Sequence, residues 1–252
     1  MIKGLYAAAS AMLVNLDRQQ TLAHNIANIE TIGFKQILTT LTDYEKTSVI
    51  FSPGNISHAS KLYRIGEIGL GTDIGQETTD YTEGAIKATG NPLDLAINGA
   101  GFFRVRKDNE DYYTRDGRFI RDAENNLVTT DGYYVLDTAG NPIALPDENI
   151  TIERDGTIRT TEQVVGQIAL DAFANPNQDL TRVGGNLFKA AVEPSTEVEK
   201  GIIGQGYLEM SNINVSQIMT QMVMVSRSYE TAQKMVVTQD TLLSETISRL
   251  GG

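Results

Sequence analysis

The spacing of apolar residues changes twice along the chain, and this change constrains the fold more than any other feature. In residues 2–26 and again in residues 215–250, uncharged and mostly apolar residues recur at alternating spacings of three and four, the heptad pattern of packed helices. Between them the period is two, as where Leu93, Leu95 and Ile97 alternate with Asp94 and Ala96. The patterns predict an α+β fold: a discontinuous domain of long N- and C-terminal heptad helices, plus a central antiparallel all-β domain.

Each terminal helix carries a stripe without charged residues. A single face buried inside the chain would explain the C-terminal stripe, but residues 222–225 are apolar all round the helix. Such a turn is expected to touch more than one neighbour, which favours packing between copies, and we call the stripes the assembly seam. The predicted seam comprises Leu5, Met12, Leu16 and Ile26 in the first helix and Val215, Ile218, Met222, Val225, Tyr229, Val236 and Leu243 in the last.

The ends of these helices carry capping signals. The first helix is predicted to end near Asn28, because Asn tolerates the left-handed conformation of a C-cap. The last helix is predicted to begin after Ser211 or Asn212, either of which could be its N-cap. The expected domains are residues 1–35 with 205–252 as a helical assembly domain, 36–84 as an extended arm with one or two strands, and 85–204 as the β domain.

Three Asp-Gly pairs mark turns in the middle of the chain, at residues 116–117, 131–132 and 155–156. Asp-Gly is a strong hairpin signal, since a type I′ turn requires positive φ at both central residues. The pairs are predicted to join strands at 112–114 and 118–121, at 127–130 and 133–136, and at 150–154 and 157–160. Residues 164–173 are predicted to form one further strand.

Composition excludes several kinds of site. The chain has 252 residues, no Cys and two His, so thiolate and multi-histidine metal sites are excluded. No Walker A loop, Gly-x-Ser-x-Gly elbow or His-Glu-x-x-His motif occurs, and no cofactor or metal is expected.

Residues 41–204 hold 26 acidic and 15 basic side chains, which account for the whole net charge of −11. Such a charge repels phosphate backbones, so no nucleic-acid partner is expected. No run of about 18 apolar residues could span a membrane.

Four short segments carry more specific information. Residues 25–35 read NIANIETIGFK, residues 93–103 read LDLAINGAGFF, residues 113–119 read YTRDGRF, and residues 206–215 read GYLEMSNINV, with RSYE following at 227–230. Together, and in this order, they resemble signatures of the bacterial flagellar axial proteins, the family of rod and hook subunits. The family motif residues at the two ends are Asn25, Asn28, Thr31, Gly33, Phe34, Lys35, Ser211, Asn212 and Asn214.

The resemblance implies a structural subunit and no enzymatic activity. Such proteins are exported by the flagellar type III system without a cleaved signal, and they assemble as a homo-oligomer in a helical tube with other rod and hook proteins. The tube lies in the flagellar basal body, outside the cytoplasmic membrane, and transmits motor torque to the hook. Chain length and the segments GGNLF (184–188) and GQGY (204–207) resemble the distal rod subunit, although Ser226 departs from its pattern.

Three alternatives remain at this point. Within the family, the chain could be a proximal rod or hook subunit. Outside it, a secreted β-rich adhesin or glycan-binding module would use exposed aromatic residues, for which Tyr112, Tyr113, Tyr133 and Tyr134 are candidates. A glycoside hydrolase would need a carboxylate pair, for which Asp80 with Glu83 or Asp94 is a candidate. An acidic cluster at Asp108, Glu110 and Asp111 could hold calcium in principle, but a solvated loop is expected.

Overall fold

A helix at each end and antiparallel strands between them make up the chain, so the α+β prediction is confirmed. The computed structural model describes residues 2–43, 46–51, 63–69, 71–146, 150–160 and 163–250. The helices are α1 (Ile2–Ala27), α2 (Pro176–Asp179) and α3 (Val215–Leu250). The strands are β1 (Ile37–Asp43), β2 (Lys46–Phe51), β3 (Tyr63–Gly69), β4 (Thr72–Thr79), β5 (Ile86–Ala88), β6 (Leu95–Asn98), β7 (Phe102–Lys107), β8 (Glu110–Thr114), β9 (Phe119–Arg121), β10 (Leu127–Thr129), β11 (Tyr134–Val135), β12 (Ile150–Ile152), β13 (Thr157–Thr160), β14 (Val164–Gln167), β15 (Leu170–Asp171), β16 (Leu180–Gly184), β17 (Leu187–Ala190), β18 (Ile202–Gln205) and β19 (Tyr207–Glu209).

The helix ends differ from the prediction in their caps. α1 ends at Ala27, one residue before the expected end, but the residue with positive φ is Gly33 (φ 67°) and not Asn28. α3 begins at Val215, and its cap is Asn214, whose Oδ1 accepts a hydrogen bond from the backbone N–H of Gln217 (3.2 Å). The predicted caps Ser211 and Asn212 were therefore wrong, because the Asn212 side chain is used elsewhere.

The chain divides into two compact units. Unit 1 comprises the described parts of Met1–Ile26, Ile37–Thr78 and Asn214–Gly252; unit 2 comprises those of Ala27–Gln36 and Thr79–Ile213. Both units are discontinuous in sequence, so residues far apart along the chain meet in each of them.

In unit 1, α1 and α3 pack with opposite directions. Asn15 of α1 donates from Nδ2 to Oγ of Ser228 (3.4 Å), and Gly4 lies beside the side chain of Gln239 near the other end of the pair. The buried apolar residues of the two helices are Ala8, Val14, Leu22, Ile218, Val225 and Ala232.

Unit 1 also contains more strands than the sequence predicted. Two two-stranded sheets, β1 with β4 and the antiparallel pair β2 with β3, lie where one or two strands were expected. Thr and Gly interrupt the apolar alternation here, so the period of two that marks a strand is weak in this segment.

Unit 2 is built around an eight-stranded sheet. Its strand order is β16-β17-β8-β7-β11-β10-β9, and β15 also pairs with β7. A three-stranded sheet, β12-β13-β14, covers part of the same core, in which Phe103, Leu127, Val135 and Ile158 are fully buried. Two further pairs, β18 with β6 and β19 with β5, join strands more than one hundred residues apart.

Two of the three Asp-Gly hairpins are confirmed. β10 pairs with β11 through Val128 and Tyr134, and β12 pairs with β13 across Asp155-Gly156. Only the glycines, Gly132 (φ 78°) and Gly156 (φ 88°), have positive φ, so type I′ was wrong, because that turn needs positive φ at the Asp as well.

The third hairpin, at 116–117, was wrong. β8 pairs with β7 and β17, and β9 pairs with β10. Gly117 instead lies against the backbone of Leu95 and accepts its N–H through the Gly117 carbonyl (3.0 Å). The expected strand over 164–173 is divided into β14 and β15.

Candidate functional site

The C-terminal part of the assembly seam is the face of α3 that is covered within unit 1. Ile218 and Val225 are buried, and Met222, Tyr229, Val236 and Leu243 are half-buried, whereas Val215 is exposed. Burying an aliphatic side chain of this size contributes about 1.5–3 kcal/mol. Much of this stripe therefore stabilises the pairing of α3 with α1 inside one chain.

The N-terminal part of the seam lies beside the contact with α3. Ala8, Asn15 and Leu22 are buried and none of them belongs to the predicted seam, although Asn15 directly precedes the seam residue Leu16. Leu16 is exposed (44%), and Leu5, Met12 and Ile26 are half-buried. Because neighbouring positions of this Ala-rich helix are nearly all uncharged, the heptad spacing alone did not determine which one faces α3.

A second stripe on α1, which shares Leu16 with the predicted seam, was not recognised as a set in the sequence. Seven exposed residues, spaced alternately by three and four, follow one another along the helix, and Tyr6 (66% exposed) and Leu13 (67%) are the largest exposed apolar residues among them. We call this set the outer stripe. It consists of Tyr6, Ala9, Leu13, Leu16, Gln20, Ala23 and Ala27. The signal was present as a second heptad series in the same helix.

α3 also leaves large apolar residues uncovered. Val223 and Met224, in the turn that is apolar all round, are exposed, as are Met219, Met235 and Leu242. Isolated exposed apolar residues are normal on proteins, but a series along both helices is typical of a surface that packs against a partner.

The N-terminal family motif begins with a buried asparagine. Asn25 is fully buried, its Oδ1 accepts the backbone N–H of Ile37 (3.0 Å), and its Nδ2 donates to the carbonyl of Ile37 (2.8 Å). The side chain therefore satisfies both polar backbone groups at the start of β1. An amide suits this pairing, since its Nδ2 donor and Oδ1 acceptor lie side by side and reach both backbone groups at once.

Further along the motif, a turn at Asn28 and Thr31 is followed by Gly33, which lies close to the backbone of Arg115. Thr31 Oγ1 donates to Oδ1 of the half-buried Asn28 (3.2 Å), and Phe34 is buried beneath the guanidinium of Arg182. A Cβ on Gly33 would lie 2.5 Å from the carbonyl carbon of Arg115. This approach and the positive φ explain why glycine occupies the position.

Lys35 ends the motif in a buried charge cluster that the sequence reading did not identify. Its Nζ lies 2.6 Å from Glu209 Oε1 and donates to the carbonyl of Thr82 (2.7 Å). Arg115 donates from its Nη1 to Glu209 Oε2 (3.1 Å) and from its Nη2 to the carbonyl of Gly99 (2.8 Å). Lys35, Arg115 and Glu209 are at most 5% exposed. We call these three residues the charge cluster.

The charge cluster contains two basic groups and one carboxylate. Burial lowers the pKa of Lys35 from its usual value, and the neighbouring Glu209 carboxylate opposes this shift. The backbone N–H of Gly84 also donates to Glu209 Oε1 (3.0 Å), so this carboxylate accepts three donors. Removal of one partner from a buried ion pair is costly because it leaves the other charge uncompensated.

The C-terminal motif residues follow Glu209 of the charge cluster along the chain, and Asn212 binds the segments beside Lys35. Asn212 Oδ1 accepts the backbone N–H of Gln36 (2.9 Å), and its Nδ2 donates to the carbonyls of Asp80 (2.8 Å) and Thr82 (3.2 Å). Ser211 is buried, and Asn214 is the exposed cap of α3. Glu209 could have been found in the sequence as the one charged residue of the segment 206–215, whereas the segment 113–119 contains three charged residues and does not single out Arg115.

The candidate aromatic residues of a glycan-binding site serve mainly in packing. Tyr113 is buried in a cluster with Phe102 and Phe173, and Tyr112 and Tyr133 meet edge to face at 5.7 Å against the main core. Tyr134 alone is exposed. Edge-to-face rings do not offer the flat stacking surface that a sugar ring would use.

The candidate carboxylates are held by donors from their own neighbourhood. Asp80 accepts the N–H of Thr82, Glu83 accepts that of Gly99 and Asp94 accepts from Asn91. In the acidic cluster, Glu110 pairs with Lys189 and Asp111 with Arg106. Among the described residues no group of three or more acidic, His or Cys side chains is placed to hold a metal ion. No helix in the described part of the chain combines the length and apolarity needed to cross a membrane.

Comparison with known proteins gives consistent matches along the chain. Residues 5–35 match the flagella basal body rod protein model, residues 96–160 the D1 domain of the flagellar hook protein FlgE/F/G, and residues 205–250 the C-terminal region of flagellar basal body rod FlgEFG proteins. The first of these regions contains the outer stripe and Lys35, and the last contains Glu209.

Individual relatives match over nearly their full length. The basal-body rod protein FlgG of Bacillus subtilis (strain 168) is 31% identical, over 98% of this chain and 99% of its own. FlgG of Borreliella burgdorferi is 32% identical over 96% and 97%, and FlgF of Mesorhizobium japonicum is 31% identical over 100% and 99%. The chain therefore belongs to the flagellar basal-body rod protein family, as a FlgG-like structural protein of the flagellar basal body.

Proposed function

We propose that this protein is a subunit of the distal rod, which assembles with further copies into a helical tube and transmits motor torque to the hook. The observation that carries the proposal is the outer stripe of α1. It is a heptad series of uncharged residues that the chain itself leaves exposed.

The energetics of the outer stripe favour a partner. Full burial of Tyr6, Leu13 and Leu16 would contribute about 1.5–3 kcal/mol each, before the exposed methionines of α3 are considered. Association costs several kcal/mol in lost translational and rotational freedom. Repeated contacts of this size, made by every copy with its neighbours, would offset that cost in a closed tube.

The assembly seam then has two functions. Its buried α3 residues, such as Ile218 and Val225, stabilise unit 1, while its exposed members, Val215 and Leu16, the latter also part of the outer stripe, contact neighbouring copies. Uncharged stripes suit this use because burying an unpaired charge at such a contact is expensive.

The remaining parts of the proposal come from the family. From the sequence pattern we propose residues 1–35 with 205–252 as the helical assembly domain, residues 36–84 as an arm and residues 85–204 as the β domain, which the family implies is outward. These bounds differ from those of the compact units, since residues 27–36 and 205–213 belong to unit 2. Partners are further copies and the other rod and hook proteins, and the flagellar export apparatus delivers the chain. We assign it no catalytic activity, cofactor or nucleic-acid partner.

A proximal rod position is the second candidate. The observation that favours it is the set of FlgF relatives, which match as large a share of the chain as the FlgG relatives do. Labelled protein located in purified basal bodies distinguishes the two positions along the rod.

The test of the assembly surface is Leu13→Glu. A charge at the centre of the outer stripe should abolish self-assembly at concentrations where the unaltered protein polymerises, while the circular dichroism of the monomer stays the same. Ser244→Glu, at an exposed polar position of α3, is the matched control and should assemble. Normal assembly and normal rods in basal bodies of the Leu13→Glu strain would overturn the proposal.

A further inference from the structure

The chain passes between unit 1 and unit 2 at four places. The boundaries fall at residues 26/27, 36/37, 78/79 and 213/214. Any force that the covalent chain carries from one unit to the other must pass along these four segments. Their ends inside unit 2 are therefore the points at which such a force is distributed to the β sheets.

Within unit 2, these segment ends are bound to one another. The backbone N–H of Asp80 donates to the carbonyl of Gln36 (2.8 Å), and Asn212 bonds both of these residues with its amide. The N–H of Gly33 donates to the carbonyl of Glu209 (2.8 Å) and that of Met210 to the carbonyl of Ala85 (2.9 Å). Residues near 35, 80 and 210 thus form one hydrogen-bonded layer.

The charge cluster lies inside this layer and ties it to the sheets. Glu209 lies shortly before the crossing at 213/214 and Lys35 directly before the last residue ahead of the crossing at 36/37. Arg115 binds Glu209 and also donates to the carbonyl of Gly99. Because all three are buried, water does not screen or replace their bonds, as it would at an exposed ion pair.

We propose that the charge cluster and Asn212 form a clamp, which binds together the three stretches near residues 35, 80 and 210 at which the chain enters or leaves unit 2, and passes mechanical load from them into unit 2. The load-bearing role rests on the proposed torque function; the clamp itself rests on the bonds described above. Glu209 is its central positioning residue, since it is the carboxylate that both Lys35 and Arg115 bind.

Hydrogen exchange of the full chain tests the clamp. In Glu209→Gln, the backbone amides of Gly33, Gly84 and Met210 should exchange at least tenfold faster, and together. The amides of Leu127 and Ile143, which donate to the carbonyls of Ile143 and Val135 beside the main core, should keep their rates. Glu110→Gln removes an exposed ion pair with Lys189 (2.8 Å) and is the control that should alter none of these amides.

Two results would overturn the clamp. Unchanged exchange at Gly33, Gly84 and Met210 would mean that the charges do not hold the segments, and an equal rise at Leu127 would mean that Glu209 only stabilises unit 2 as a whole. If Glu209→Gln does not fold, Asn212→Ala replaces it. That variant leaves the charges intact, and its Gln36 and Asp80 amides should still exchange at least tenfold faster.

Swimming under load tests the mechanical role. A strain whose rods carry the clamp variant that folds should swim at the normal speed in dilute medium and lose at least half of its relative speed in viscous medium. An unaltered load dependence would refute load bearing. Failure of the unaltered chain to enter basal bodies would instead refute the proposed function, so the two failures are distinguishable.

Discussion

Gly33→Ala, compared with Gly132→Ala, isolates the cost of a close backbone contact. Both glycines have positive φ, 67° and 78°, so both substitutions carry a similar backbone strain of about 1 kcal/mol. Their surroundings differ. A Cβ on Gly132 meets no atom within 4 Å, whereas one on Gly33 lies 2.5 to 2.7 Å from backbone atoms of Arg115 and Asp116.

The expected magnitudes follow from this difference. Overpacking against atoms that cannot rotate away costs about 1–3 kcal/mol, so Gly33→Ala should destabilise by about 2–4 kcal/mol and Gly132→Ala by about 1 kcal/mol. Against a typical unfolding free energy of about 5–15 kcal/mol, the first is a large fraction and the second is small.

Urea unfolding of the full chain, followed by tyrosine fluorescence, measures both values. The chain has ten Tyr and no Trp, and buried Tyr113 and half-buried Tyr81 report on unit 2. Equal destabilisation by the two substitutions would refute the reasoning, since it would mean that the backbone at Arg115 yields freely to a methyl group.

Two further predictions concern buried polar groups. Burial raises the pKa of Tyr113 above 10.0, so the folded state keeps a proton that the unfolded state loses, and the free energy of unfolding falls as the pH rises from about 10 through the raised value. In Tyr113→Phe the free energy of unfolding in urea should therefore fall less between pH 9 and 11.5 than in the unaltered protein. An equal fall in both proteins would contradict this assignment. Asn25→Ala leaves both backbone groups of Ile37 without their partners and should cost about 1–3 kcal/mol in the same assay; a loss below about 0.5 kcal/mol would mean that water replaces the amide.

The sequence predicted those features that local spacing determines. The heptad series placed the ends of α1 and α3 close to Ala27 and Val215, and Asp131-Gly132 and Asp155-Gly156 lie in hairpins as expected. In each case the physical signal, a period or a residue with access to positive φ, is contained within a few neighbouring residues.

Features set by distant contacts were not predictable in the same way. The dipeptide Asp116-Gly117 is identical to the two hairpin signals, but its glycine is required by the Leu95 backbone. On α1, residues 15 and 16 could equally face α3 by composition, and only packing selects Asn15. Glu209 and Lys35 are 174 residues apart, and no local pattern relates them.

That separation has a consequence for the timing of synthesis. Ribosomes add about 5–20 residues per second, so Lys35 and Arg115 exist for many seconds, on the order of 10–35 s for Lys35, before Glu209 is made. Strands β5 and β6 wait similarly for β19 and β18. Contacts between such distant residues also form slowly, because a long loop must be closed first. Unit 2 therefore reaches its final form only after nearly the whole chain has been made, and until then two of its basic side chains stay in water.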